Sequence, residues 1–126
     1  MRAVDTNVLV RLLMRDDPRQ AEAADTFVTG GAWVSHVVLA ELLWVLSSSY
    51  RLKRAQLTVL LEMLLKHEAI TIQDSDVVQA ALALFRHGSA DFSDCLVLAT
   101  ARKAGHLPLG TFDRRLSKVA GVELVH

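Results

Sequence analysis

Five short apolar runs alternate along this chain with longer segments of helical spacing: Ala3-Val4, Trp33-Val34, Ala69-Ile70-Thr71-Ile72, Leu107-Pro108-Leu109 and Val122-Glu123-Leu124-Val125. Strands that follow one another through helices are joined by crossovers, and crossovers place strands parallel. The pattern therefore predicts an α/β fold, a three-layer α/β/α sandwich around a central, mostly parallel sheet of four to five short strands. The length of 126 residues fits a single domain over 1–126, and no repeat, linker or low-complexity segment divides it. Apolar residues make up 52% of the chain, enough for a core, which argues against disorder.

Local signals set the helix limits. Asn7 to Leu13 has helical spacing directly after the first run. Asp17-Pro18 is a cap followed by proline at the first helical position, and Gly30-Gly31 closes that helix near Thr29. Ser35 caps a helix to about Tyr50. Lys53 to His67 carries Leu57, Leu60, Leu61, Leu64 and Leu65 on one side. Asp74 or Ser75 opens a helix ended by Gly88, Asp91 to Ala104 is another stopped by Gly105, and a short helix follows Asp113.

Composition excludes several classes. Lys+Arg and Asp+Glu are both 14, so a polyanion can be held only by a local basic patch or through bound cations. Cys95 is the only cysteine, which excludes an internal disulfide and fits a reducing compartment. Asp5 spoils a secretory apolar segment, and the longest apolar stretch, Val37 to Leu46, is interrupted by Glu41 and far below the roughly 20 residues of a membrane span. The expectation is a soluble cytoplasmic protein with no membrane partner.

The acids carry the chemical signal. In open α/β sheets ligands bind beyond the carboxyl ends of the strands, and Asp5 and Asp113 each lie just past a predicted strand. Either can also cap the helix that follows it, a role that stabilises by about 1 kcal/mol. Asp91 and Asp94 have capping-box spacing at a helix start. Glu41 has Val37, Val38, Trp44 and Val45 as its helical neighbours, so it is expected on an apolar face, where a buried carboxylate needs a basic partner or a cation.

Converging carboxylates suit Mg²⁺, or Mn²⁺ in its place, since these hard ions keep several waters and bridge to phosphates. The five histidines, His36, His67, His87, His106 and His126, have no zinc-ligand spacing. Such a cluster serves phosphodiester hydrolysis, in which bound metal lowers the pKa of a water and neutralises phosphate charge. Arg11, Arg15, Arg114, Arg115 and Lys118 are the candidates for holding flanking phosphates of an RNA substrate; ordinary solvated surface is the competing role for each.

Four segments together resemble the PIN-domain nucleases: Val4-Asp5-Thr6-Asn7-Val8-Leu9, Ser35-His36-Val37-Val38-Leu39-Ala40-Glu41-Leu42, Asp91-Phe92-Ser93-Asp94-Cys95-Leu96-Val97-Leu98-Ala99-Thr100-Ala101 and Leu109-Gly110-Thr111-Phe112-Asp113. Their order and spacing span nearly the whole chain, and within the family they look like VapC-type toxins of toxin–antitoxin pairs. The resemblance implies a PIN-like fold and a Mg²⁺-dependent endoribonuclease with catalytic acids Asp5, Glu41, Asp94 and Asp113. Asp5 and Asp94 would be direct metal ligands, with Asp113 a third, and Glu41 and Asp113 would complete the shell or orient water. Asp91 would be accessory, and Thr111, Thr6 and Asn7 would brace the site. The resemblance further implies products with 5′-phosphate and 3′-hydroxyl ends, a homodimer, and a cognate antitoxin whose tail runs beside the acids. The apolar helices around Trp44 and Leu57–Leu65 are candidates for those protein contacts as well as for core.

Two other readings compete. An aspartyl-phosphate phosphatase using Asp5 wants an acid two residues on, where this chain has Asn7. A non-catalytic PIN-like scaffold would bind without cutting, against the presence of all four acids.

Overall fold

The computed structural model describes residues Met1–His126. Their order is β1 (Arg2–Ala3), α1 (Thr6–Met14), α2 (Pro18–Val28), β2 (Ala32–Val34), α3 (His36–Ser48), α4 (Arg54–Lys66), β3 (Ile70–Ile72), α5 (Ser75–His87), α6 (Phe92–Ala104), β4 (Leu109–Thr111), a 3₁₀ turn (Leu116–Lys118) and β5 (Val122–Leu124). The chain divides into two compact units, Met1–Ser75 and Asp76–His126.

In the N-terminal unit β1, β2 and β3 form a parallel sheet in that order, with Arg2 opposite Ala32, Trp33 opposite Thr71 and Val34 opposite Ile72. Each crossover is a pair of helices, as parallel pairing requires. The sheet is extended at its carboxyl end, where Val4 N–H donates to Trp33 O and Gln73 N–H to Val34 O. Ala32, Val34, Ile70 and Ile72 are buried while Trp33 and Thr71 are exposed, so the period-2 pleat turns one face to the core. Leu9, Leu39, Leu42, Leu46, Leu61 and Leu64 fill that core, and fully burying each such side chain stabilises by about 1.5–3 kcal/mol.

The helix starts follow from local chemistry. Val8 N–H donates to Asp5 Oδ1, Gln20 N–H to Asp17 Oδ1 and Val38 N–H to Ser35 Oγ, each satisfying a donor the first helical turn leaves open. At the far end of α1, Arg15 takes a left-handed φ of 54° and its N–H donates to Arg11 O.

In the C-terminal unit α5 and α6 bury Val78, Ala81, Leu98 and Ala99, and Phe85 meets Phe92 edge to face with ring centres 5.9 Å apart. Gly105 ends α6 at a φ of 81°, a conformation glycine adopts without penalty. Strands β4 and β5 pair in parallel, Leu109 with Val122 and Thr111 with Leu124.

The α/β class, the parallel pairing and the number of strands are as expected, and two details are refined. The five strands pair as a three-stranded sheet and a two-stranded one, β4 with β5. The fourth strand runs over Leu109–Thr111 rather than from Leu107, because Pro108 has no N–H to offer and the first ladder donor is Leu109, whose N–H reaches Gly121 O.

Candidate active site

In the N-terminal unit, Asp5 stands past β1 as the cap of α1 and is exposed to solvent. Capping and ligation are compatible: the Val8 N–H uses Oδ1 and leaves the carboxylate three further lone-pair positions. Thr6 is buried and Asn7 exposed. Glu41 overturns the expected burial. It is exposed on α3, between Val37, 78% exposed, and Trp44, 68% exposed. The neighbours are apolar as read from the sequence, yet that face is bare, and α3 buries Leu39, Leu42, Leu43 and Leu46 on its other side. Burial therefore does not require a cation at Glu41.

Two of the candidate phosphate-binding cations in this unit have carboxylate partners. Arg11 Nη1 lies 3.0 Å from Asp16 Oδ1, and Tyr50 donates its hydroxyl to the other oxygen of Asp16 at 2.8 Å. Arg15 grips Asp25 with two hydrogen bonds of 2.9 and 2.7 Å. The bond from Tyr50, with Arg11, holds Asp16 below the usual carboxylate range, and Arg15 does the same for Asp25. This network joins the loop after α1 to the end of α3 and to α2. The helical patterns of the sequence carried no sign of it.

The C-terminal unit behaves differently. Asp91 caps α6, accepting the Asp94 N–H at 2.9 Å. Asp94 sits half-buried in the first turn. Burial pushes its carboxyl up from the ordinary value, and the charge of Asp91, a hydrogen bond with Asp91 and the charge of Asp113 push it the same way. Asp113 is positioned by its own turn: its Oδ1 accepts from Arg115 N–H at 2.8 Å and Leu116 N–H at 3.3 Å, and its N–H donates to Thr111 Oγ1 at 3.0 Å. Thr111 is thus a brace for Asp113. Arg114, Arg115 and Lys118 are exposed.

The structure brings Asp91 and Asp113 each into electrostatic range of Asp94, although no three His, Cys, Asp or Glu side chains close tightly enough to grip one ion together. The donor set fits a hard divalent cation. All candidate ligands are carboxylate oxygens, and the crowding at Asp94 is the repulsion that a cation relieves. Within this unit Asp94, with Asp91 and Asp113, would hold it. No helix is long and apolar enough to cross a membrane.

Over its length the chain is similar to a VapC ribonuclease of Aquifex aeolicus, 25% identical over 125 residues that make up 94% of this chain and 92% of that protein. Among solved structures it is similar to Mycobacterium tuberculosis VapC20, described as a Sarcin-Ricin loop cleaving toxin, with 21% identity, 98% of both chains covered and a TM-score of 0.44. The PIN-domain family model matches residues 2–122, that is, every element from β1 into β5 together with all four acidic motifs. The chain belongs to the PIN-domain family.

Proposed function

We propose that this single domain is a Mg²⁺-dependent endoribonuclease, with Mn²⁺ as a substitute, that acts in the cytoplasm as the toxin of a VapC-type pair. The observation that carries the reading is the crowding of Asp94 by Asp91 and Asp113 in a chain of the PIN-domain family. Asp94 is half-buried and feels the charges of both Asp91 and Asp113, a setting that a bound cation would relieve. The similarity to a VapC ribonuclease supports the choice of RNA.

When bound, the cation supplies phosphate neutralisation and a water of lowered pKa. The chain's residues do the rest. Burial and the charges of Asp91 and Asp113 raise the Asp94 carboxyl, so a proton competes with a cation there more than at a free carboxylate. Asp91 fixes the start of α6 and so the position of Asp94. The two backbone donors on Asp113 Oδ1 hold that carboxylate in place before substrate arrives. The family's motifs add Asp5 and Glu41 to the acidic set, with Thr6 and Asn7 next to Asp5 in sequence, and Arg114 and Arg115 are proposed for phosphates flanking the cut. The exposed apolar face of α3 at Val37 and Trp44 supports a protein contact, either the homodimer or the antitoxin.

Cleavage of total bacterial RNA by the purified protein, with Mg²⁺ or with EDTA and beside Asp5→Asn, tests the proposal. The expected result is cutting at discrete positions, giving 5′-phosphate ends, lost in EDTA and in the variant. Folded protein that binds RNA but cuts none of it with either metal would replace the nuclease by a scaffold.

A further inference from the structure

Phe112 is the most exposed large apolar residue of the chain, at 79%. Single exposed aromatics are common on protein surfaces. This one is distinguished by where it stands. Thr111 and Asp113, on either side of it, are both pinned. Thr111 O accepts from Val125 N–H at 2.7 Å, tying the end of β4 to β5, and Asp113 is held by the Thr111 hydroxyl and by two backbone donors of the following turn. Leu116, buried to 5% exposure, anchors that turn, and Ser117 N–H donates to Asp113 O at 3.0 Å. The backbone at Phe112 is thus fixed from both sides while its ring stays in water. A rigid mount for an unburied ring fits a surface that awaits a flat ligand.

The neighbours narrow the ligand. One residue after Phe112 is a carboxylate of the acidic set, and the next two, Arg114 and Arg115, are exposed guanidiniums. Guanidinium matches phosphate geometry, and aromatic faces take unstacked bases of single-stranded RNA. An apolar protein partner would find charge on three successive residues beside the ring, whereas a nucleotide strand uses every one of them. We propose that Phe112 is a base-stacking platform: an unpaired nucleobase of the substrate lies on its ring while Arg114 and Arg115 take adjacent phosphates. The proposal rests on the ribonuclease reading and adds a specificity determinant to it, since it demands an unpaired base beside the scissile bond.

Fluorescence anisotropy with labelled oligoadenosine and oligouridine tests this in an Asp5→Asn background with Mg²⁺, where cutting is stopped. Phe112→Ala is expected to weaken binding about 5- to 150-fold, the range for loss of one base–aromatic stack. Phe112→Trp is expected to bind like the parent and to lose fluorescence on binding, and Phe112→Leu to bind like the alanine variant. Abasic oligomers should weaken binding to the parent but make no difference to Phe112→Ala. Circular dichroism is expected to show the parent fold for all three variants. Equal binding by all four proteins overturns the platform, as does full binding by Phe112→Leu, which would indicate generic apolar contact. Unchanged RNA binding with loss of self-association in sedimentation would assign the ring to a protein interface and also overturn it. The two readings fail separately. If the chain with Asp5 intact cuts RNA and Phe112→Ala cuts equally well, only the platform falls; if the intact chain neither cuts nor binds, the ribonuclease reading falls with it.

Discussion

Both units hold exposed ion pairs, and the C-terminal unit alone also crowds one carboxylate with two others. In the first, Arg11 meets Asp16 and Tyr50, and Arg15 meets Asp25. In the second, Lys103 meets Asp76, but Asp94 feels the charges of Asp91 and Asp113, and Arg114 and Arg115 stand exposed. Matched charges secure a fold modestly, because exposed pairs gain little over water. Unmatched ones cost stability and persist where a ligand completes them. The contrast teaches that the crowding of Asp94 is local, set beside ordinary exposed ion pairs in both units.

The contrast is broken most directly at Asp94. Asp94→Asn is expected to slow RNA cleavage by about 100-fold or more, by removing a proposed metal ligand. The same change is expected to leave the melting temperature unchanged or slightly raised, because it removes a repelled charge. A cleavage time course beside a thermal melt checks both halves, and a large fall in melting temperature would show that Asp94 is structural.

A sharper test uses pH. The Asp94 carboxyl is raised, so in the folded chain it takes up a proton at higher pH than it does when unfolded. The charged form therefore costs stability, and as pH falls through the raised value Asp94 contributes favourably to folding. Metal affinity runs the other way, since the cation must displace that proton. Mg²⁺ affinity measured by calorimetry should weaken on acidification, and in Asp91→Asn the weakening should begin at lower pH, the Asp91 charge being gone. Superimposable profiles for the two proteins would remove Asp91 from its accessory role.

The smallest effect belongs to the N-terminal pairs. Asp25 is held below its ordinary value by Arg15, so its contribution is present above the unfolded carboxylate range and is lost as pH falls through the lowered folded value. Asp25→Asn is expected to lower the melting temperature by about 1–2 °C, less in high salt, with RNA cleavage at the parent rate. Loss of cleavage would mean that Arg15 needs its partner to serve the RNA.

Much of this molecule was legible because the forces involved act within a few residues. Asp5, Asp17, Ser35 and Asp91 cap where their spacing predicts, Gly105 stops α6, and the crossovers make the strands parallel. The family resemblance was legible for the same reason, being written in four short segments, and the family match over residues 2–122 agrees with it. Side-chain type at helical spacing gave the apolar character of the face around Glu41, but how far another element covers that face depends on packing across the chain, and Val37, Glu41 and Trp44 stay exposed. The partners of Arg11 and Arg15 lie 5 and 10 residues away around a turn, and Tyr50 reaches Asp16 across 34 residues, so the fold alone decided which charges are matched. The sequence by itself determined the elements, their parallel connection and the four segments that carry the family resemblance, because caps, periodicity and crossovers are local. Tertiary structure decided the split of the strands into two sheets, the exposure of Glu41 and Phe112 and the crowding of Asp94, because burial and electrostatic repulsion are set by what comes near in space.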